Sequence, residues 1–236
     1  MSAEVNTAAI HVEALSKRVG GRLILDAVTF VVPAGTAVAV VAPNGAGKSL
    51  LLDIVAGFVA PSSGRVRIFG HDPRASTLRG QVATLPQRAL ADTVDQVGSF
   101  LRHIAGLEGL DARGVVPPIL ERLALADLAT VRICDLSEGV RRRVALAVVL
   151  LGRPRIVLLD EPTLGLDPAG QQAVRAAVAE LKTRATVLVA SSDPASVESL
   201  CAEVVGLGSR QDEARRIVGA FVELPRITAP QQGACS

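Results

Sequence analysis

The eight residues A-P-N-G-A-G-K-S at 42–49 leave this chain few choices of fold. Residues 36–41 before them read T-A-V-A-V-V, a short apolar run suited to a strand buried on both faces of a parallel sheet. Residues 48–57 after them carry apolar side chains at helical spacing and end on Gly57, a good helix stop. A strand that turns through glycines straight into a helix aims backbone N–H groups and a helix N-terminus at one spot, which favours an anion there.

The spacing follows G-x-x-x-x-G-K-[ST], the phosphate-binding pattern. Gly45 and Gly47 let the backbone approach a phosphate with no Cβ in the way. Lys48 reaches the terminal phosphates, and the Ser49 hydroxyl holds Mg2+. Asn44, Ala46 and Leu50 complete the loop and first helical turn as candidate nucleotide contacts. Ala42 replaces the first glycine, which an alanine can do at negative φ. The plain alternative is a Gly turn before a helix.

Further along, I-V-L-L-D-E-P at 156–162 ends an apolar strand in two carboxylates. Asp160 is the candidate Mg2+ ligand opposite Ser49, and Glu161 the candidate base for the attacking water. Alone, the pair reads equally well as a solvated acidic turn; Lys48 and Ser49 upstream favour the catalytic reading. The expected cofactors are ATP and Mg2+.

The remaining pattern fills in an α/β chain. Strands are expected over residues 10–15, 27–32, 65–69, 82–85, 186–190, 204–207 and 217–221, and helices over 141–151 and 168–183. Residues 92–130 are helical in pattern, with Phe100, Leu101 and Ile104 and then Ile119, Leu120, Leu123 and Leu125 recurring on one face. Ser137 is a candidate N-cap. The 236 residues suffice for one large domain, possessing a net charge of only +2 and five Phe with no Tyr or Trp. Neither a basic face nor a base-stacking platform is evident, so no nucleic-acid partner is expected. Cys134, Cys201 and Cys235 and the three histidines lack metal-ligand spacing and read as ordinary thiols and imidazoles. No apolar run approaches the roughly 20 residues of a membrane span, and the N-terminus does not read as a signal peptide, so a soluble chain is expected.

Three segments in order, the phosphate loop, L-S-E-G-V at 136–140 and D-E-P-T-L-G-L-D at 160–167, make the chain resemble the ATPase subunit of an ABC transporter. The likeness runs over about residues 10–207. It implies a P-loop NTPase fold: a mostly parallel core sheet, an N-terminal antiparallel β-subdomain and a helical subdomain inserted at about 88–152. The whole is expected to form one ATP-binding domain over 1–225, with a tail at 226–236. The resemblance further implies that Ser137 and Gly139, in the signature segment, face ATP held by a second protomer. It makes Gln87 a contact to Mg2+ or water, and Asp167 a residue of the dimer seam, although Asp167 serves equally as a helix N-cap.

Three positions depart from that family's pattern. Val19 stands where an aromatic usually stacks on adenine, Glu138 where glycine is commoner, and Ser192 where a histidine usually contacts the γ-phosphate and catalytic water. Slow hydrolysis is therefore expected. The helical insert is similar to ATPases of ABC-2 type exporters of drugs, lipids or polysaccharides, with an importer left open. The implied partners are an integral membrane permease and either a second copy or a sister ATPase, at the cytoplasmic face of the cell membrane. The competing reading is a nucleotide-regulated, weakly hydrolysing protein of this type acting outside transport, in assembly or signalling. Phe100, Leu101 and Ile104 either line a groove for a partner's short helix or pack the insert's own core.

Overall fold

A computed structural model describes residues 8–86, 90, 92–198, 200–201 and 203–206. Its centre is a five-stranded parallel sheet in the order β5-β6-β7-β3-β8. The strands are β3 (Ala37–Val41), β5 (Val82–Leu85), β6 (Ile156–Asp160), β7 (Thr186–Ser191) and β8 (Glu203–Gly206). Every residue of β3, β6 and β7 is buried, as a strand covered on both faces requires.

Period-2 alternation splits these strands between two cores. Ala37, Ala39, Val41, Val157, Leu159, Val187 and Val189 face a helical core. Its helices are α2 (Val97–Leu107), α3 (Ala112–Arg122), α4 (Glu138–Leu151) and α5 (Pro168–Leu181). On the other face Val38, Val40, Ile156, Leu158, Leu188 and Ala190 pack with α1 (Lys48–Val55) and a separate antiparallel sheet. That sheet has the order β2-β1-β4, from β1 (Ala8–Val19), β2 (Arg22–Pro33) and β4 (Ser63–Ile68). Phe30, fully buried, anchors it to the second core.

Most expected elements are present, with shifted ends. The β1–β2 hairpin runs further than the expected 10–15 and 27–32, closing at Val19 opposite Arg22. Register shifts within β1, with Ala14 (φ +45) and Ala27 (φ +49) in the left-handed region, break the apolar alternation while the pairing continues. Such bulges erase the period on which a strand is recognised. A short helix, α6 (Pro194–Glu198), was not expected after β7. The expected strand at 217–221, the tail at 226–236 and Cys235 lie outside the described residues.

The helices α2, α3 and α4 lie in sequence between β5 and β6, where the insert was expected. Leu101 is fully buried in the helical core, and Phe100 and Ile104 pack against it half-buried, so these three side chains build the insert's own core. Cys134 and Cys201 are free thiols, and burial pushes the Cys201 thiol up to about 12, which keeps it unreactive. Among the described residues no cluster of His, Cys, Asp and Glu could hold a metal ion, and no helix is long and apolar enough to cross a membrane.

Gly64 marks where β4 and β1, neighbours in the antiparallel sheet, tolerate no side chain. At φ +77, a Cβ there would come within 2.3 Å of the Ala14 carbonyl oxygen. Gly64→Ala is expected to lower unfolding stability by at least about 2 kcal/mol, read by urea denaturation. Gly20→Ala, at positive φ but in open space, should cost about 1 kcal/mol.

Candidate functional site

Parallel pairing brings the carboxyl ends of three strands to one line. Val41 pairs with Ser191, and Asp160 with Ala190. Hydrogen bonds continue the alignment into the loops, with Ala42 N–H donating to Ser191 O at 3.2 Å and Glu161 N–H to Ala190 O at 2.9 Å. Ala42 is buried and is not among the residues at positive φ, so the missing first glycine costs the loop nothing in backbone strain.

Gly45 (φ +78) and Gly47 (φ +93) do occupy the left-handed region. Gly47 is also the N-cap of α1, and no side chain caps that helix. The first-turn N–H groups of α1 therefore face the loop's concavity, a ready anion site. A Cβ on Gly47 would meet Ile24 Cγ2 at 2.8 Å and Leu25 Cδ2 at 2.9 Å, so the hairpin presses on the loop from behind. Asn44, Gly45 and Ser49 are exposed; Ala46, Gly47 and Leu50 are half-buried.

Lys48 is only 6% exposed. Its ammonium donates to Ala42 O at 2.9 Å and Pro43 O at 3.2 Å, and lies 3.3 Å from Glu161 Oε1. The loop lysine and the candidate base thus form a buried ion pair. Glu161 is 5% exposed with its backbone at φ +48, a conformation rare for a side chain this long. Its other oxygen, Oε2, accepts from Ser191 Oγ at 3.3 Å.

Asp160 is buried beside them. Burial raises its carboxyl above the ordinary aspartate range, the Ser49 hydroxyl bonded to it pulls it down, the Glu161 charge raises it and Lys48 lowers it. Asp160 Oδ1 is buried and makes no hydrogen bond among the described residues. An orphaned carboxylate oxygen beside a serine hydroxyl is a donor set that suits a hard cation such as Mg2+.

Ser192 lines a cavity of about 390 Å³ together with Glu161, Thr163, Gln171, Arg175 and Ser191. The structure therefore gathers Lys48, Ser49, Asp160, Glu161 and Ser192 at one sheet edge. No hydrogen bond or ion pair among the described residues ties Val19, Ser137, Gly139 or Asp167 to that group. Val19 is 52% exposed at the hairpin tip. Ser137 caps α4, accepting from Val140 N–H at 3.4 Å, and is exposed. Asp167 caps α5, accepting from Gly170 N–H at 2.8 Å. Gly139 packs on residues 165 and 166, with a hypothetical Cβ 2.9 Å from Leu166 Cδ2. Glu138 pairs with Arg142 at 3.2 Å, and Arg142 in turn donates to Leu164 O. Within one chain, then, the 137–142 segment is tied to the loop that follows Glu161. Gln87 lies outside the described residues.

Sequence reading missed Ser191 and Arg175. Ser191 is the one polar residue ending the run V-L-V-A-S, a signal that was available at a strand's carboxyl end. Arg175 sits two turns into α5 among ordinary surface positions and gave none.

A family model described as ABC transporter matches residues 25–164, well over half the chain. The chain belongs to the ABC transporter family. It is similar to the Nod factor export ATP-binding protein I of Paraburkholderia xenovorans, at 32% identity over 82% of this chain and 66% of that one. Among solved structures it is similar to the ATP-binding subunit of an ABC transporter, with TM-score 0.74 and 29% identity over 84% of this chain and 85% of that one. It is likewise similar to cbiO1 from Clostridium perfringens, part of the complex cbiONQ, with TM-score 0.72 and 27% identity over 85% of each chain. The chain spans about two thirds of the length of the curated relatives it matches.

Asp160→Asn offers a test of the buried acid. A raised folded-state pKa means that the ionised carboxylate destabilises the fold, a cost absent below the unfolded pKa and felt as pH rises through the folded one. Asp160→Asn should therefore be more stable than wild type at pH 8, by about 1 kcal/mol, with the difference closing near pH 4 in urea titrations. The same variant should lose the Mg2+ dependence of nucleotide binding.

Proposed function

We propose that this chain is an ATP hydrolase that drives a separate integral membrane permease, in the direction of export. The observation that carries the reading is the convergence of Lys48, Ser49, Asp160 and Glu161 at the uncapped N-terminus of α1. Export is supported by relatives named for export, and a separate permease by the similarity to cbiO1, described as part of the ABC transporter complex cbiONQ. A place at the cytoplasmic face of the membrane goes with that partnership.

In this reading the triphosphate lies against the N–H groups of residues 45 and 47–50, the Ala46 N–H being donated to Pro43 O at 3.2 Å. Lys48 turns from Glu161 to the terminal phosphates, exchanging one anion for another of higher charge. Mg2+, held by the Ser49 hydroxyl and Asp160, neutralises phosphate charge when bound. Glu161 accepts the proton of the attacking water, and Ser192 offers that water a hydroxyl contact. Val19 gives the base a small apolar contact, and Gln87 adds a polar one to the water or metal. Two protomers, identical or sister chains, close on the nucleotide, each presenting Ser137 and Gly139 to the other's ATP and meeting along Asp167. A helix N-terminus capped by Ser137 suits that role, since its field favours the γ-phosphate. The domain spans 1–225, with the 88–152 insert as the surface that feels the permease.

Ser192 favours one second reading. A serine hydroxyl is shorter than an imidazole and carries no charge, so turnover is slow and nucleotide occupancy itself becomes the signal, in assembly rather than transport. ATP turnover that rises on adding a membrane permease selects transport; turnover indifferent to every permease selects the second reading.

Steady-state hydrolysis tests the chemistry. Glu161→Gln should lose at least about a hundredfold in kcat while keeping its MgATP affinity. Ser192→His should raise kcat by about tenfold. A brisk wild-type rate that the histidine does not improve rejects slow turnover, leaving the role of Glu161 intact.

A further inference from the structure

The hydrogen bonds around Glu161 distinguish its two carboxylate oxygens. Oε1 faces the Lys48 ammonium at 3.3 Å and makes no hydrogen bond among the described residues. Oε2 faces the hydroxyl of Ser191 at 3.3 Å. Ser191 is 1% exposed and sits at the carboxyl end of β7, where its backbone is fixed by pairing with Val41.

That hydroxyl has one proton and three possible acceptors: Glu161 Oε2, the Asp193 carbonyl at 3.3 Å and Ser196 Oγ at 3.1 Å. The neighbours decide between them. Asp193 N–H donates to Ser191 Oγ at 3.1 Å and occupies one of its lone pairs. Ser196 Oγ donates to the Asp193 carbonyl at 2.7 Å, the shortest bond of the group, and so takes one of that carbonyl's two lone pairs. Of the three acceptors, the carboxylate is charged and binds a hydroxyl proton more strongly than a neutral oxygen does. The turn 191–196 therefore directs the Ser191 proton to Glu161. The 3.3 Å separation is long for such a bond.

We infer that Ser191 is a positioning residue that holds Glu161 by Oε2 and reserves Oε1 as the oxygen that takes the proton from water. The inference rests on Glu161 being the base. Before nucleotide binds, Lys48 occupies Oε1; once Lys48 moves to the phosphates, that oxygen is exposed to water while Oε2 stays tied. In the step that follows, the water oxygen bonds to the γ-phosphorus and the bond from that phosphorus to the bridging oxygen breaks. The water proton passes to Oε1 and from there to the departing phosphate, leaving ADP, phosphate and a regenerated carboxylate. With an uncharged, short Ser192 in the same cavity, Ser191 supplies the steadying contact to the base from the neighbouring position on the same turn.

The test uses the full-length chain with Ser191→Ala, Ser191→Thr and Glu161→Gln, and reads single-turnover hydrolysis, MgATP affinity and the side-chain carboxyl resonance of 13C-labelled Glu161. Glu161→Gln assigns that resonance by removing it. Ser191→Ala should slow single-turnover hydrolysis about tenfold with MgATP affinity within about twofold of wild type, whereas Ser191→Thr should recover most of the rate. The Glu161 resonance should shift in Ser191→Ala and return in Ser191→Thr, a readout that needs no turnover and that decides the matter if hydrolysis is too slow to time. A resonance unmoved by Ser191→Ala, or a threonine variant as slow as the alanine one, overturns the inference. Glu161→Gln hydrolysing at the wild-type rate instead removes the base on which the inference rests.

Discussion

Parallel pairing of β3, β6 and β7 is the constraint on which the rest of the molecule depends. Register sets Val41 beside Ser191 and Asp160 beside Ala190, so that the phosphate loop, the acidic pair and the 191–196 turn all leave the sheet at the same edge. A one-residue slip in any strand would carry its buried residues to the wrong core and withdraw one partner from the site. The two apolar cores, which hold alternate residues of the same strands, make such a slip costly. Packing that stabilises the fold is thus also what aligns the chemistry.

At that edge the site stores its groups in mutual contact. Lys48 is a buried cation whose charge is balanced by Glu161 and whose donors are occupied by loop carbonyls. The arrangement keeps a cation poised where burial alone would expel it, because a partnered charge in a poorly hydrated setting is far cheaper than a lone one. The same contact occupies one carboxylate oxygen of Glu161. Asp160, in contrast, holds a carboxylate oxygen that finds no donor among the described residues. That is a destabilising feature of a kind that a cation relieves.

The loop motif, the acidic pair and the signature segment could all be read along the chain, because each is a contiguous string and the three stand in one recognisable order. The Ser137 and Asp167 caps were legible for the same reason: a cap acts on the next few N–H groups. The full hairpin was not, since bulges at Ala14 and Ala27 interrupt its alternation, and α6 is too short to have a period. Ser191 was passed over because a serine ending an apolar strand looks like punctuation until its neighbour across the sheet is known. Arg175 had no local signature at all; it joins the cavity because α5 packs along β7.

By itself the sequence determined that a phosphate-binding pattern stands at a strand–loop–helix junction, that two carboxylates end a buried strand, and that one family carries these pieces in this order. Those are properties of neighbouring residues, written in spacing and glycine placement. Tertiary structure alone decided that Lys48 meets Glu161, that Ser191 reaches one oxygen of that carboxylate and not the other, and that Gly139 serves packing against residue 166. These depend on which strands lie side by side and in what register, and register is fixed by burial summed over the whole sheet rather than by any local stretch of chain.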